Sequence, residues 1–219
     1  MHSASEGGAS PGKAEPGCLF MLLEISGLTG LAGGPFHLNV AAGECIVISG
    51  ASGIGKSLLL RMIADLDENQ GQVSLSGVSR EAMPAPQWRR QVIYNPAEPG
   101  WWAEHVGAHM RPVEEALRLL PQLGLDEELM TAPVSRLSTG ERQRMALIRA
   151  VIRKPQVLLL DEPSSALDEA STQRMEALLA RLTASGLGLV VVTHNEAQVR
   201  RIAHRRYLMT AGHLAECAP

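Results

Sequence analysis

An α/β fold with a mostly parallel core sheet is predicted from two features of the 219-residue sequence. Continuous apolar runs, which suit strands covered on both faces, occur at residues 157–160 and 188–192. Between them an apolar stripe has the helical spacing i, i+3, i+4 and i+7 and is formed by Met175, Leu178, Leu179 and Leu182. Strands that alternate with covering helices predict a right-handed parallel arrangement.

The composition disfavours several classes of function. Hydrophobic residues make up 45% of the chain, enough for a sizeable core, and the net charge is −3 without a long basic run, so we predict no nucleic-acid partner. No apolar run approaches the roughly eighteen residues of a spanning helix, which predicts a soluble protein that reaches a membrane only through a partner. Three cysteines without metal-ligand spacing suit a reducing cytoplasm: Cys18, Cys45 and Cys217.

The N-terminal part is predicted to contain a tail and an antiparallel β subdomain. Residues 1–17 are rich in Gly, Ser, Ala and Pro, which predicts a disordered tail rather than a signal peptide, and one domain follows over residues 18–219. Strands are predicted at Cys18–Ile25 and Phe36–Val40, and a half-exposed strand at Gly71–Gly77.

A phosphate-binding loop is the most specific motif of the chain. Residues 45–49 predict a buried strand, and the next eight residues have the pattern G-x-x-x-x-G-K-S before a helix predicted through Asp65. Such a loop points backbone N–H groups and a positive helix end at one anion. Lys56 would reach the β and γ phosphates, and the Ser57 hydroxyl would bind Mg²⁺. The motif predicts a P-loop NTPase with nucleotide contacts from Gly50, Ala51, Ser52, Gly53, Ile54, Gly55, Lys56, Ser57 and Leu58.

A small helical subdomain is predicted as an insertion in the main sheet, over residues 103–153. It follows a strand predicted at Gln91–Tyr94. Helical patterns cover Val113–Leu120 and Leu137–Ile152, with a shorter turn at Asp126–Met130.

Two acids and a histidine follow the buried strands at the edge where parallel sheets bind ligands. Asp161 is predicted to hold Mg²⁺ opposite Ser57, and Glu162 to act as general base on a water aimed at the γ phosphate. His194 is predicted to contact the γ phosphate and orient that water. The alternative for the acids is a solvated strand end, and for His194 a structural role.

The segment Leu137–Glu141, called the signature segment below, precedes the long predicted helix. Ser138 and Gly140 therefore lie at a helix N-terminus and predict a second anion site.

Together with Ser164–Asp168, these ordered motifs make the chain resemble the ATP-binding subunit of ATP-binding cassette transporters, over about residues 20–215. Within that superfamily it most resembles short bacterial subunits associated with metal or iron export. The resemblance implies ATP and Mg²⁺ as cofactors, and a head-to-tail homodimer in which the signature segment faces the partner's phosphate loop. It also implies that Asp168 belongs to a loop crossing the dimer seam. Hydrolysis would drive a separate polytopic membrane permease, which places the chain at the cytoplasmic face of the inner membrane.

The chain departs from the family pattern at the position after the Tyr94 strand. Ala97 stands where the family has a glutamine that touches Mg²⁺ and links the nucleotide to the membrane subunit. Either Glu98 or Asn95 replaces it, or the coupling differs.

Other departures concern the base and the signature segment. The aromatic platform for adenine would fall near Leu28 or Thr29, neither of which is aromatic. Thr139 replaces a glycine that the resemblance places near phosphate, and Glu141 a frequent glutamine. These departures keep two alternatives open, a nucleotide-binding regulatory module with weak hydrolysis and a non-transport cassette ATPase.

Two further features lie near the start of the helical segment. His105 and His109, four residues apart, could share a helix face with Glu104 as a metal pair, but only two sure ligands exist and Gly107 weakens that helix, so we favour no metal site there. The pair Trp101–Trp102 would form a surface for the membrane subunit, the alternative being that at least one of them is core.

Overall fold

The computed structural model describes residues 21–217, so the predictions for the tail and for Cys18 fall outside the described residues. The strands are β1 (Met21–Gly30), β2 (Gly33–Ala41), β3 (Cys45–Ser49), β4 (Asn69–Leu75), β5 (Val78–Ser79), β6 (Val92–Asn95), β7 (Val157–Asp161), β8 (Gly188–Val192), β9 (Arg205–Thr210) and β10 (His213–Cys217). The α-helices are α1 (Lys56–Ile63), α2 (Ala85–Gln91), α3 (Val113–Leu119), α4 (Thr139–Val151), α5 (Glu169–Ala184) and α6 (Glu196–Ile202).

Two sheets organise the described residues. The first is antiparallel with the order β2-β1-β4-β5, and the second has the order β10-β9-β3-β8-β7-β6. From β9 to β6 all pairings in the second sheet are parallel, and only β10 runs antiparallel to β9. The predicted α/β class, with a mostly parallel core sheet and an N-terminal antiparallel sheet, is confirmed. β1 extends five residues past the predicted end at Ile25, because it pairs with both β2 and β4.

The side chains of β3 alternate between two apolar cores. Ile46 and Ile48 pack with α1 and the antiparallel sheet. Val47 packs on the opposite face with residues of α4 and α5. Because both faces of the strand are covered, every residue of β3 is buried, which explains the uninterrupted apolar run.

The segment between β6 and β7 contains α3, α4 and several 3₁₀ turns. The helix predicted at Leu137–Ile152 begins at Thr139, because Ser138 serves as its N-cap. The turn predicted at Asp126–Met130 is a 3₁₀ turn at Glu127–Thr131. That this segment forms a separate subdomain stays a prediction.

The order of the parallel strands brings the predicted site elements to one edge. β3, β8 and β7 are neighbours, and their carboxyl ends lead into the phosphate loop, His194 and the Asp161–Glu162 pair. The hairpin β9–β10 was not predicted from the sequence, although β9 lies directly beside β3. None of the helices in residues 21–217 has the length and apolar character that crossing a bilayer requires.

Candidate nucleotide site

The phosphate loop keeps its shape through two glycines that no other residue replaces without strain. Gly50 has φ 151°, and a Cβ there would lie 2.5 Å from the carbonyl oxygen of Met209. Gly55 has φ 106° and caps the N-terminus of α1, where a Cβ would touch Ala32 at 3.4 Å. Ile54 packs against the core and anchors the loop between them. The loop is therefore held open at the start of α1, as an anion site requires.

Lys56 and Ser57 occupy the first turn of α1. Lys56 is buried, and its Nζ donates to the carbonyl oxygens of Gly50 and Ala51, both at 2.8 Å. Burial lowers the pKa of Lys56, while the nearby carboxylates of Glu162 and Asp161 raise it. The Ser57 side chain is exposed at the helix end. An ammonium folded over the loop next to free helix N–H groups fits a polyphosphate.

Asp161 is the last residue of β7 and is buried, with 5% exposure. Its Oδ2 accepts a hydrogen bond from the Tyr94 hydroxyl at 3.0 Å. Burial raises the pKa of Tyr94, and the charge of Asp161 adds to this effect. Tyr94 thus stays a donor that orients the Asp161 carboxylate, a role that the sequence alone did not indicate. Serine and aspartate oxygens are suitable Mg²⁺ ligands, so Ser57 and Asp161 fit the predicted metal site.

Glu162 and His194 form a close pair beside this carboxylate. The Oε1 atom of Glu162 lies 3.3 Å from Nε2 of His194, yet within the described residues this buried oxygen accepts no hydrogen bond. Burial raises the pKa of Glu162 above its ordinary value, against the lowering effect of His194. The backbone of Glu162 is left-handed, with φ 45°, and its N–H donates to Val192. A buried carboxylate oxygen without a donor is suited to receive a proton or a water hydrogen bond.

These groups line one cleft of about 590 Å³. The predicted residues on its wall are Ser52, Gly53, Gly55, Lys56, Ser57, Leu58, Asp161, Glu162 and His194, and Ala97 and Ser165 line it as well. Ser138, Gly140 and Asp168 do not line the cleft of their own chain. The signature segment is therefore not part of the cleft of its own chain.

The signature segment forms a capping box at the start of α4. The Ser138 hydroxyl accepts from the backbone N–H of Glu141 at 3.2 Å, and the Glu141 carboxylate accepts from the backbone N–H of Ser138 at 2.8 Å. These hydrogen bonds lower the pKa of Glu141. Both Ser138 and Thr139 are exposed, so this helix end faces solvent with the Glu141 carboxylate upon it.

Gln143, which the sequence analysis did not single out, connects three parts of the site. Its Nε2 donates to the carbonyl oxygen of Ala97 at 3.2 Å and to the Ser165 hydroxyl at 2.9 Å, and its Oε1 accepts from the Ala166 N–H at 3.3 Å. Asp168, further along that loop, caps α5 by accepting from the Ser171 N–H, which lowers its pKa. The buried Gln143 amide therefore connects α4, the helix that follows the signature segment, to the cleft.

The structure bears on two departures from the family pattern. Asn95 is buried within β6 and Glu98 is exposed outside the cleft, so neither supplies a side chain where Ala97 stands. Leu28 is fully buried in the core and offers no platform for a base. In the hairpin of β1 and β2, the tip residue Ala32 approaches the phosphate loop, since a Cβ on Gly55 would lie 3.4 Å from its Cα.

The disfavoured metal pair of His105 and His109 does not have the helical geometry that it would need. His105 precedes the 3₁₀ turn Val106–His109, so the two histidines do not share a helix face. His109 is buried, with Nε2 hydrogen-bonded to the backbone of Ala103. Within residues 21–217 no cluster of three or more His, Cys, Asp or Glu side chains is suited to a metal.

The tryptophan pair divides between core and surface. Trp101 is half-buried and packs against the core, whereas Trp102 is 71% exposed. The Arg149 guanidinium lies over both rings, 4.7 and 4.9 Å from their centroids, and His109 packs edge-on against each. Trp101 therefore belongs partly to the core, and Trp102 is exposed on the surface.

Comparison with known proteins identifies the family. The sequence profile described as ABC transporter matches residues 34–165 of this chain. The chain belongs to the ABC transporter family. Protein STAR1 of Oryza sativa subsp. japonica is 38% identical over 83% of the chain, and the phosphonates import ATP-binding protein PhnC of Trichormus variabilis is 35% identical over 80%. The chain spans 56% of the length of STAR1 and 81% of that of PhnC.

Solved ABC cassettes share this fold. The dimeric ATP-binding cassette MJ0796 bound to ADP and Pi has a TM-score of 0.79 at 24% identity, covering 90% of this chain and 98% of that one. The predicted P-loop fold and the prediction of an ABC ATP-binding subunit are confirmed. The closer resemblance to metal-export subunits stays a prediction, since PhnC is named as an import protein.

Proposed function

We propose that this chain binds and hydrolyses ATP to power an ABC transporter through a separate membrane subunit. The observation that carries the proposal is the meeting, in one cleft, of the phosphate loop, the buried Asp161 and the Glu162–His194 pair at 3.3 Å. An acid with a raised pKa next to an anion cradle and a metal-type carboxylate supports phosphoryl transfer to water.

Each residue has a defined part in the proposed reaction. Lys56 leaves the carbonyls of Gly50 and Ala51 and binds the β and γ phosphates. Glu162 takes a proton from a water whose oxygen bonds to the γ phosphorus, while the bond from that phosphorus to the β–γ bridging oxygen breaks and releases ADP. His194 orients this water and the γ phosphate. Ser57 and Asp161 would hold Mg²⁺, which neutralises phosphate charge when bound.

We infer that the active unit is a head-to-tail homodimer. The exposed N-terminus of α4, with Ser138 and Gly140, lies outside its own cleft and is available to a γ phosphate held by the partner subunit. The loop that leads to Asp168 packs against this helix end, since a Cβ on Gly140 would lie 2.8 Å from the carbonyl oxygen of Ala166. Dimeric cassettes among the solved structures support this arrangement.

The surface formed by Trp102 and Arg149 is our proposed contact for the membrane permease. An exposed indole beside a guanidinium is typical of an interface anchor. The proposal places the chain at the cytoplasmic face of a membrane through that partner.

One alternative has a specific observation in its favour. Ala97 lines the cleft without a side chain that reaches metal or water, which supports a regulatory module that closes on ATP and hydrolyses it weakly.

Assays of phosphate release and nucleotide binding on the purified chain distinguish the ATPase from the regulatory module. Glu162→Gln should retain MgATP binding and lose about 10²- to 10⁴-fold in turnover, whereas Lys56→Ala should lose binding. Glu115→Gln, at an exposed ion pair with Lys154, is the matched control. Equal turnover in wild type and Glu162→Gln would support the regulatory module, and full nucleotide affinity in Lys56→Ala would contradict the assignment of the loop.

A further inference from the structure

A buried serine stands at the end of the otherwise apolar strand β3. Ser49 is 6% exposed and directly precedes Gly50, the first residue of the phosphate loop. A buried hydroxyl needs partners. The Ser49 Oγ donates to the carbonyl oxygen of Tyr207 at 3.3 Å and accepts from Nε of Arg206 at 3.1 Å.

The same guanidinium also binds a carboxylate near His194. The two terminal nitrogens of Arg206 donate to the two carboxylate oxygens of Glu196, at 2.9 and 2.5 Å. Glu196 is the first residue of α6 and lies two residues after His194. All three nitrogens of one side chain are thus used to join the phosphate-loop strand to the helix that follows His194. Such a bidentate contact fixes the orientation of the two side chains as well as the distance between them.

We propose that Arg206 is a positioning residue for ATP hydrolysis, bridging Ser49 and Glu196 and so setting where His194 lies relative to the phosphate loop. This inference rests on the proposed function and deepens it. We call Ser49, Arg206 and Glu196 the arginine bridge.

Exposure of the histidine segment explains why such a bridge matters. His194, Asn195 and Glu196 are all exposed, so core packing does not hold their side chains. On the other side of the segment, Gln198 accepts from the Ser164 hydroxyl at 3.1 Å. Toward the phosphate loop, backbone pairing of β8 with β3 ends at Val192, and Arg206 adds a side-chain contact beyond that point. Misplacement of a reacting group by about 1 Å costs up to 10²-fold in rate.

The bridge is expected to affect rate more than stability. The Glu196 side chain is 58% exposed, and ion pairs at such positions contribute little to the free energy of unfolding. A purely structural role would lower the melting temperature. A positioning role would lower kcat while KM for ATP and the melting temperature stay nearly unchanged.

The experiment uses the full chain and steady-state hydrolysis of MgATP. Glu196→Ala and Arg206→Lys should lower kcat by about tenfold with KM within about twofold, and the exchanged pair Glu196→Arg with Arg206→Glu should recover part of the loss. Arg200→Ala removes an exposed arginine from the same helix and is the matched control. Unchanged kcat in both single variants would overturn the proposal.

Hydrogen exchange separates a failure of the bridge from a failure of the proposed function. Residues 193–198 should exchange faster in Glu196→Ala than in wild type, and this readout does not need turnover. If wild type hydrolyses no ATP, the proposed function fails, and the exchange result still decides whether Arg206 holds the histidine segment. Unchanged exchange would overturn the bridge in that case.

Discussion

At the scale of single residues, Glu162 combines a strained backbone with a buried carboxylate oxygen that accepts no hydrogen bond from the described part of the chain. Its left-handed φ of 45° and its buried Oε1 without a donor both cost free energy in the folded chain. Neither feature benefits the fold, and both direct a carboxylate oxygen into the cleft. This is the pattern expected where stability is sacrificed for chemistry.

The raised pKa of Glu162 predicts opposite effects of pH on rate and on stability. A general base must be ionised, so kcat/KM should rise with pH through a midpoint above the ordinary glutamate value of 4.5. Burial disfavours the ionised form of Glu162 in the folded state, so above pH 4.5 this residue lowers the free energy of unfolding. The effect disappears at low pH, where the carboxyl group is protonated in both the folded and the unfolded state. Glu162→Gln should therefore raise the melting temperature near pH 8, and the gain should shrink toward about pH 5.

Glu216 is a control because its pKa is shifted in the opposite direction from that of Glu162. Its pKa is lowered by hydrogen bonds from Arg205 and Tyr207, and its side chain is 50% exposed, so Glu216→Gln should lower the melting temperature at neutral pH only slightly and should not raise it. A lower melting temperature of Glu162→Gln near pH 8 would contradict the burial argument. Both series need only thermal unfolding scans across the same buffers.

The residues that sequence reasoning found are those whose types follow a local motif. Lys56, Ser57, Asp161 and His194 each follow a strand or open a helix, so the edge of the sheet brings them together. Tyr94, Gln143 and Arg206 were missed because their partners are distant in sequence. A buried serine in an apolar strand was the one signal that pointed toward Arg206.

At the scale of elements, α4 joins the signature segment to the cleft of its own chain. Its first turn carries the capping box of Ser138 and Glu141, and the next turn carries Gln143, which is 6% exposed. One rigid helix therefore has an exposed N-terminus toward a second subunit and an amide on the loops at Ala97 and Ser165. We therefore expect a contact made at the exposed end to affect the cleft through this helix.

Loss of the Gln143 amide should weaken both stability and turnover. Gln143→Leu keeps the volume of the side chain but leaves the Ala97 carbonyl, the Ser165 hydroxyl and the Ala166 N–H without this partner, which should lower the free energy of unfolding by about 1–3 kcal/mol. Urea denaturation and phosphate release measure the two effects. Gln173→Leu, on the exposed face of α5, should change neither, and an equal loss there would contradict the argument.

Elements with strong periodicity were predicted well, and those set by tertiary pairing were not. α5 and β8 follow from their apolar patterns, and β8 has the predicted bounds. β1 extends to Gly30 because β2 and β4 pair along it, and β9–β10 form because β3 offers an edge. These pairings join distant segments, which a local pattern does not report.

At the scale of the whole molecule, the cleft of one subunit lacks the second helix end that the sequence predicts. Ser138 and Gly140 belong to the site only if another copy supplies them. The fold therefore predicts that assembly and nucleotide occupancy are linked, because a bound triphosphate adds an anion between two positive helix ends.

A variant that binds but does not turn over should reveal this assembly. Glu162→Gln at high concentration with MgATP should shift from monomer to dimer in light scattering, and wild type with ADP should not. Adding Thr139→Glu puts a further negative charge on the exposed start of α4, which should abolish the dimer while nucleotide still binds. A Glu162→Gln chain that stays monomeric in saturating MgATP, even with its membrane partner, would contradict the proposed function.

The hairpin tip between β1 and β2 affects which nucleobase the chain selects. Ala32 at this tip lies beside Gly55, and neither it nor the neighbouring Leu31 has an aromatic ring on which a purine could stack. Recognition then depends on the phosphates, which ATP and GTP share. Discrimination between adenine and guanine should accordingly be weak, and the abundance of each triphosphate in the cell, rather than its fit, would determine which one is consumed.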